Sequence, residues 1–178
     1  WKAAYGVKTT EKILEDFLTE RPITVRCRTH KASLKEIVTS LKAQRVTVQQ
    51  APYLPYALKI SDYNHILTLD AFLQGKILVQ DISSMLVAEA ASPKKGDYII
   101  DMCAAPGGKS IHAADKMGDY GNVDARDVSQ YKADLIKENI HRTGVINVDA
   151  KVQDATVYDP DSEQAADIVI ADVPCSGY

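Results

Sequence analysis

The sequence contains little cysteine and no long hydrophobic run. Its three cysteines, Cys27, Cys103 and Cys175, are odd in number and far apart in the 178 residues, which argues against a disulfide framework and favours a reducing, cytoplasmic setting. No apolar run approaches the roughly 20 residues that span a bilayer. We also find no internal repeat and no low-complexity segment. These absences argue against a disulfide scaffold and against a membrane partner.

Histidine is also sparse, and its positions do not have the spacing of metal ligands. We therefore predict no metal site and expect each of the four histidines to be a surface or core residue: His30, His65, His112 and His141. A zinc deaminase would need a second cysteine in the pattern P-C-x-x-C. Residues 174–178 read P-C-S-G-Y, so that cysteine is absent.

The charge is unevenly distributed, although its net value is only −3. Residues 1–60 hold 11 Lys+Arg and 5 Asp+Glu, a balance of +6, whereas residues 61–178 hold 10 and 19, a balance of −9. A basic first part suggests contact with a polyanion such as RNA, and an ordinary solvated surface explains it equally well. A content of 46% hydrophobic and 25% charged residues is typical of a globular protein with one or two domains.

Residues 1–72 read as a small α/β module. Residues 24–28 alternate as in a half-buried strand, with Val25 and Cys27 on the core side and Arg26 and Arg28 on the solvent side. Ser33 and Glu36 match a capping box that starts a helix. The spacing of apolar residues further predicts a helix at 10–19 and short strands near 46–48, 56–60 and 66–69.

Residues 73–178 alternate between strands and helices, which predicts a parallel sheet with right-handed crossovers. Asp124 and Arg126 are unusual in a buried parallel strand, so we expect that strand to be distorted or poorly packed. Asp124, Asp149 and Asp159 read as surface caps or turns. The predicted strands are 98–102, 122–126, 145–152 and 168–171, and the predicted helices are 85–90, 111–117 and 130–142, the last ended by Gly144.

Residues 101–110, D-M-C-A-A-P-G-G-K-S, connect a predicted strand to a predicted helix. Such a turn is where an α/β protein brings its backbone close to a ligand. The dinucleotide fingerprint G-x-G-x-x-G is absent, since Gly107 and Gly108 are adjacent. The phosphate loop G-x-x-x-x-G-K-[ST] fits better at Gly108-Lys109-Ser110, but Cys103 takes the place of its first glycine. A nucleotide-binding phosphate loop stays open as an alternative.

Together with D-V-P-C-S-G at residues 172–177, this turn closely resembles the RNA 5-methylcytosine methyltransferases of the Sun/Nop2 type. The branch that acts on bacterial 16S rRNA is the most similar. The segments P-I-T-V-R at 22–26 and V-Q-D-I-S-S at 79–84 resemble the same family. The resemblance implies that residues 73–178 form a Rossmann-like sheet of an S-adenosylmethionine-dependent methyltransferase, of which only the first half is present. A small α/β RNA-binding module would precede it.

The resemblance also implies which residues bind the cofactor, S-adenosylmethionine. Asp127, about 20 residues past the turn, would hold the ribose hydroxyls. Asp154 would lie near the adenine, and Asp172 between the cofactor and the target base. Glycines without a Cβ atom would let the backbone approach the cofactor closely. The cofactor-lining residues of the turn would be Cys103, Ala104, Ala105, Pro106, Gly107, Gly108 and Lys109.

Methylation of cytosine at carbon 5 needs a thiolate that first adds to carbon 6. Cys175 is the obvious thiol, and Asp172 fits the acid that stabilises the adduct near the ring nitrogen N3. By resemblance, however, the nucleophile belongs to a later Thr-Cys motif, and Cys175 assists product release. Since the sequence ends at Tyr178, before such a motif, and four of seven sheet strands are visible, we expect an inactive fragment of a larger enzyme.

The expected partner is RNA, with ribosomal RNA favoured over transfer RNA by the branch resemblance. Four basic residues of the first module are the predicted RNA contacts: Arg26, Arg28, Lys31 and Lys35. We expect a monomer. A non-catalytic RNA-binding module is the alternative from a different class, and it would not bind the methyl donor.

Overall fold

Two four-stranded sheets organise the chain in the computed structural model, which describes residues 1–19, 21–118 and 120–173. The first sheet has the order β2-β3-β1-β4 and is antiparallel throughout. Its strands are β1 (Ile23–Cys27), β2 (Thr47–Gln50), β3 (Ala57–Ser61) and β4 (Ile77–Val79), and its helices are α1 (Lys2–Tyr5), α2 (Val7–Phe17), α3 (Leu34–Ala43) and α4 (Asp70–Leu73).

The capping box predicted for α3 is confirmed. The Ser33 hydroxyl accepts from the Glu36 backbone N–H at 3.3 Å, and the Glu36 carboxylate accepts from the Ser33 N–H at 2.8 Å. The helix buries Ile37 and Leu41 against the sheet. Cys27 packs in the same core, where burial raises the pKa of its thiol to about 12, so it is a core residue.

The first sheet and its helices form the first unit of the structure. Two elements near its end differ from what the spacing of apolar residues predicts. Residues 66–69, predicted as a strand, instead form a 3₁₀ helix at Ile66–Thr68, whose first turn is capped by His65. The strand β4 pairs with β1, in the register Val25↔Val79, and therefore belongs to the first sheet. The division into domains at residues 72 and 73 stays a prediction.

The second sheet is parallel, as predicted, and has the strand order β7-β6-β5-β8. Its core is formed by residues such as Ile99, Ile111, Val123 and Ile136. The strands are β5 (Tyr98–Asp101), β6 (Asn122–Asp127), β7 (Val148–Val152) and β8 (Ile168–Ile170), and the helices are α5 (Ile82–Ala91), α6 (Gly108–Met117) and α7 (Gln130–Thr143). Gly144 ends α7 in the left-handed conformation, as predicted.

The polar face of β1 is buried, so the prediction that only one face of this strand is buried is wrong. Arg26 and Arg28 are 2% and 1% exposed and contact Asp115 of α6. Arg26 Nη1 lies 2.6 Å from Asp115 Oδ2, and Arg28 Nη2 lies 2.7 Å from Oδ1. Arg28 also donates to the carbonyls of Gly75 and Thr143. The second unit, which is the parallel sheet with its helices, thus covers the side of β1 that would otherwise face water.

The charged residues of β6 are accommodated without distortion. Residues 122–127 pair regularly on both sides, and Arg126 Nη2 lies 2.6 Å from Asp124 Oδ2. Asp124 also accepts from the Tyr98 hydroxyl at 3.2 Å and pairs with Lys151 at 2.7 Å. Because its charge is neutralised, Asp124 is 5% exposed inside the sheet, and its prediction as a surface residue is wrong. Asp159 is a cap as predicted, at a short 3₁₀ helix, and Asp149 is exposed.

Candidate cofactor site

Four acidic residues lie at or just beyond the carboxyl ends of the parallel strands. Asp101 ends β5, Asp127 ends β6, Asp154 follows β7 and Asp172 follows β8. Parallel strands present their carboxyl ends at one edge of the sheet, which is where ligands bind in open α/β sheets. The three predicted aspartates, 127, 154 and 172, therefore share one edge.

The turn after β5 is fixed by backbone hydrogen bonds. Ala104 N–H donates to the Arg126 carbonyl of β6 at 2.8 Å, and Gly107 N–H donates to the Ala104 carbonyl at 2.6 Å. Gly107 has φ of 100°, a conformation that favours glycine. A Cβ atom at Gly107 would lie 3.3 Å from Ile136 Cγ2, so this glycine allows the turn to approach α7. At Gly108 a Cβ atom would meet Gln80 at 3.8 Å, an ordinary contact.

Asp127 is an ordered carboxylate at the edge of this turn. Its Oδ2 accepts from Ala105 N–H at 3.0 Å, and its Oδ1 accepts from Val128 N–H at 2.8 Å. Lys132 Nζ lies 3.2 Å from Oδ1. Burial alone would raise the pKa of Asp127, but the two backbone donors and Lys132 outweigh burial and lower it. The carboxylate is therefore ionised, and its backbone contacts fix its orientation.

Asp101, a site residue that no sequence motif singled out, is fully buried behind the turn. Its Oδ2 accepts from the Ser110 hydroxyl at 2.6 Å, and its Oδ1 has no hydrogen-bond partner in the described part of the chain. Burial raises the pKa of Asp101 to about 6, against the opposing hydrogen bonds from Ser110 and the Cys103 backbone. Its place at a strand end was the signal that could have identified it.

Lys109 and Asp172 form an ion pair beside the turn. Lys109 Nζ lies 2.6 Å from Asp172 Oδ2, and the Asp172 side chain is 58% exposed. The pair joins the start of α6 to the end of β8. Cys103 is half-buried on the same side, and burial, with Asp127 and Asp101 nearby, raises the pKa of its thiol. Cys175 lies outside the described residues.

Two cavities open along this edge of the sheet. One, of about 210 Å³, lies where β5, β6 and β7 end and is lined by residues that include Met102, Asp154 and Val157. The other, of about 220 Å³, lies between the turn after β5 and the segment that links β4 to α5. Its walls include Gln80, Cys103 and Lys109. Arg126, the neighbour of Asp127 on β6, lines the first cavity, and Ala105, whose N–H donates to Asp127, lines the second.

Gln80 is a wall residue whose role could not be predicted from its motif. It lies in the V-Q-D-I-S-S segment, follows β4 and is 6% exposed. Its Oε1 accepts from Arg26 Nε at 2.8 Å. A buried polar residue between a strand and a helix was the available signal. The first sheet therefore contributes one wall of a cavity whose other wall comes from the second sheet.

The predicted RNA contacts are only half available. Arg26 and Arg28 are buried against Asp115, so their assignment as RNA contacts is wrong. Lys31 and Lys35 are exposed at the start of α3. Within residues 1–19, 21–118 and 120–173, no group of three or more His, Cys, Asp or Glu residues is arranged to hold a metal ion. The helices of that same part of the chain are too short or too polar to cross a membrane.

The parallel sheet with a glycine turn and strand-end carboxylates defines a protein of the methyltransferase class. The family model described as 16S rRNA methyltransferase RsmB/F matches residues 88–178, and the ferredoxin-like domain model of the same methyltransferases matches residues 1–66. The chain belongs to this RsmB/F family of RNA cytosine-5 methyltransferases. The family match favours the methyltransferase interpretation of the turn over the phosphate loop.

Relatives support the same assignment. The chain is 35% identical, over all of its length, to 40% of a probable ribosomal RNA small subunit methyltransferase B from Bacillus subtilis. Over 61% of its length it is 41% identical to 28% of a tRNA (cytosine(72)-C(5))-methyltransferase from Pyrococcus horikoshii. The crystal structure of PH0851 superposes with a TM-score of 0.83 at 32% identity, over 98% of this chain and 40% of that one. The chain thus spans well under half of these relatives.

Proposed function

We propose that the protein transfers a methyl group from S-adenosylmethionine to carbon 5 of a cytosine in RNA. One observation carries this proposal: an ordered, ionised Asp127 lies beside the glycine turn at the carboxyl edge of a sheet from the RsmB/F family. The relatives named above act on ribosomal or transfer RNA. The similarity to the small subunit methyltransferase from B. subtilis favours ribosomal RNA as the substrate of this protein and the cytoplasm as its location.

The residues present fit this cofactor. A carboxylate can accept about four hydrogen bonds, and three donors surround Asp127, two of them backbone groups. The Lys132 side chain is 43% exposed and can give way, which leaves acceptor sites for ribose hydroxyls. Met102 and Val157 offer an apolar place for a purine beside Asp154. Asp154 is itself oriented by two hydrogen bonds from Thr156.

The cofactor supplies an electrophilic methyl group on a positively charged sulfur. The turn from Cys103 to Lys109 would hold its remaining part near β5 and β8. Asp172, exposed and paired with Lys109, would face the target base and stabilise the adduct near N3. Cys175 would assist release of the product, and the nucleophile would be a second cysteine of the full-length protein.

The test uses the full-length protein with methyl-labelled S-adenosylmethionine and unmodified 16S rRNA or tRNA. We expect label at carbon 5 of a cytosine in the rRNA. The Cys175→Ala variant should accumulate a denaturant-resistant protein–RNA adduct, since the nucleophile can attack but the product leaves slowly. Transfer to tRNA alone would contradict the rRNA preference. Absence of transfer to either RNA would contradict the proposal itself.

A further inference from the structure

The amide of Gln80 is held in one orientation. Arginine is a donor only, and Arg26 Nε donates to Gln80 Oε1 at 2.8 Å. Rotating the amide by half a turn would place its NH₂ group against the guanidinium N–H. The carbonyl oxygen of Gln80 therefore faces Arg26, and its nitrogen Nε2 faces the opposite way.

Arg26 is itself fixed. Its guanidinium lies 2.6 Å from the carboxylate of Asp115 on α6, and its side chain is 2% exposed. Asp115 is also bound by Arg28, through contacts of 2.7 to 3.1 Å. The chain of contacts from Asp115 through Arg26 to Gln80 thus sets the direction of the Gln80 amide from outside the cavity.

The free end of the amide lies in the cavity of about 220 Å³ beside the glycine turn. Gln80 Nε2 is buried and has no hydrogen-bond partner among the described residues. It lies 4.0 Å from the position that a Cβ atom of Gly108 would take. A buried N–H without a partner costs about 1–3 kcal/mol, so this donor calls for an acceptor inside the cavity.

The surroundings of Nε2 favour an anionic acceptor. Gly108 is the first residue of α6, a ten-residue helix, and the N-terminus of a helix attracts negative charge. Lys109 adds a cation on the same wall of the cavity, although its ion pair with Asp172 offsets part of that charge and Asp81 also lines the cavity. Three features therefore converge here: a helix N-terminus, an ammonium group and an oriented amide donor.

The strand order selects which part of the cofactor reaches this cavity. With the adenine beside Asp154, which follows β7, and the ribose at Asp127 of β6, the remaining amino-acid end would extend toward β5. We propose that Gln80 Nε2 donates a hydrogen bond to the carboxylate of the amino-acid end of S-adenosylmethionine, with Arg26 as the positioning residue. This inference rests on the proposed function and assigns a ligand contact to the first sheet.

The test compares two ligands by calorimetry with the full-length protein. S-adenosylhomocysteine carries the amino-acid end, and 5′-methylthioadenosine shares the adenine and ribose but lacks it. Gln80→Met removes the donor at similar size, and Gln80→Glu keeps the acceptor toward Arg26 but replaces the donor. Both variants should bind S-adenosylhomocysteine about tenfold or more weakly, with affinity for 5′-methylthioadenosine within about twofold of wild type. Gln49→Met, at an exposed glutamine of β2, should change neither.

The outcomes separate this inference from the proposed function. If the wild-type protein binds neither ligand, the proposed function fails. If it binds S-adenosylhomocysteine and the Gln80 variants bind it equally well, the contact is wrong. Equal loss of both ligands would also overturn the contact, since it would mean that the variants disturb the whole site and not the amino-acid end.

Discussion

Asp101 and Asp127 end neighbouring strands of one sheet, yet their surroundings shift their pKa values in opposite directions. Burial raises the pKa of Asp101 to about 6. Asp127 is 4% exposed, but the N–H groups of Ala105 and Val128, together with Lys132, outweigh burial and lower its pKa. Both are ionised at neutral pH, and only Asp127 is surrounded by donors strong enough to favour that state.

The raised pKa of Asp101 makes the free energy of unfolding depend on pH. The folded protein binds this proton more tightly than the unfolded chain, so the stability present below about pH 4 is lost as the pH rises to about 6. A rise from 3.8 to about 6 corresponds to about 3 kcal/mol. When the pH is raised from about 4 to about 7, the free energy of unfolding of wild type should fall by about 3 kcal/mol more than that of Asp101→Asn, as measured by urea titration. Identical pH dependence in the two proteins would refute the raised pKa.

Asp127→Asn tests the ribose contact. The amide replaces one acceptor by a donor, which opposes the backbone N–H groups and removes an acceptor for a hydroxyl. Affinity for S-adenosylhomocysteine, measured by calorimetry, should fall about tenfold or more. The matched control is Asp149→Asn, an exposed aspartate on the neighbouring strand β7, which should bind like wild type. An unaffected Asp127 variant would remove this residue from the site.

At the scale of elements, the sequence predicted the strands, helices and helix ends better than it predicted which charged side chains are buried. The parallel strands, the α3 capping box and the glycine that ends α7 follow from local residue patterns. The burial of Arg26 and Arg28 does not, because it depends on α6, which lies almost ninety residues further along the chain. The burial of Asp124 and Arg126 is not visible in the pattern of β6 either, because it depends on their pairing with each other and with Lys151 of the adjacent strand.

Asp115 neutralises two buried arginines, Arg26 of β1 and Arg28 just after it, so its removal should be costly. Asp115→Ala leaves both guanidinium groups without their carboxylate, and the free energy of unfolding in urea should fall by about 3–5 kcal/mol. Asp134→Ala, at an exposed ion pair on α7, should change it by less than about 0.5 kcal/mol. A small loss at Asp115 would mean that the two sheets do not depend on this contact.

Gly75 connects α4 to β4 where the chain meets the end of α7. It has a positive φ of 64°, and a Cβ atom there would lie 2.6 Å from Thr143 Cα and closer still to the Arg142 carbonyl. Gly96 also has a positive φ, of 94°, but a Cβ atom there would meet open space. Gly75→Ala should therefore lower the melting temperature well beyond Gly96→Ala, which costs only the backbone strain of about 1–2 kcal/mol. Similar melting temperatures would contradict the close approach.

For the whole molecule, the exposed Lys31 and Lys35 stay the candidates for RNA contact in the first unit. Each contact with a single-stranded phosphate contributes about 0.7 to the slope of log affinity against log salt. The double variant Lys31→Gln, Lys35→Gln should therefore reduce that slope by about 1.4 in RNA binding by the full-length protein. The exposed pair Lys94 and Lys95 gives a matched double control. An unchanged slope would remove both residues from the RNA interface.

The sheet to which β4 belongs could not be predicted from the sequence. Its three apolar residues suit either sheet, and only its pairing with β1 decides between them. This pairing brings Gln80 to the glycine turn. The cofactor turn could be recognised from its motif, but the wall opposite could not, because it comes from a strand of the other sheet.

The contacts between Asp115, Arg26 and Gln80 also limit how the two units can be inherited. A chimaera that joins the first unit of this chain to a second unit without an aspartate at the position of Asp115 would keep Arg26 and Gln80 but lose the carboxylate that orients them. A second unit that carries an aspartate there would restore the contact. We therefore expect exchanges at a junction between the two sheets to preserve the cavity only when this aspartate is present.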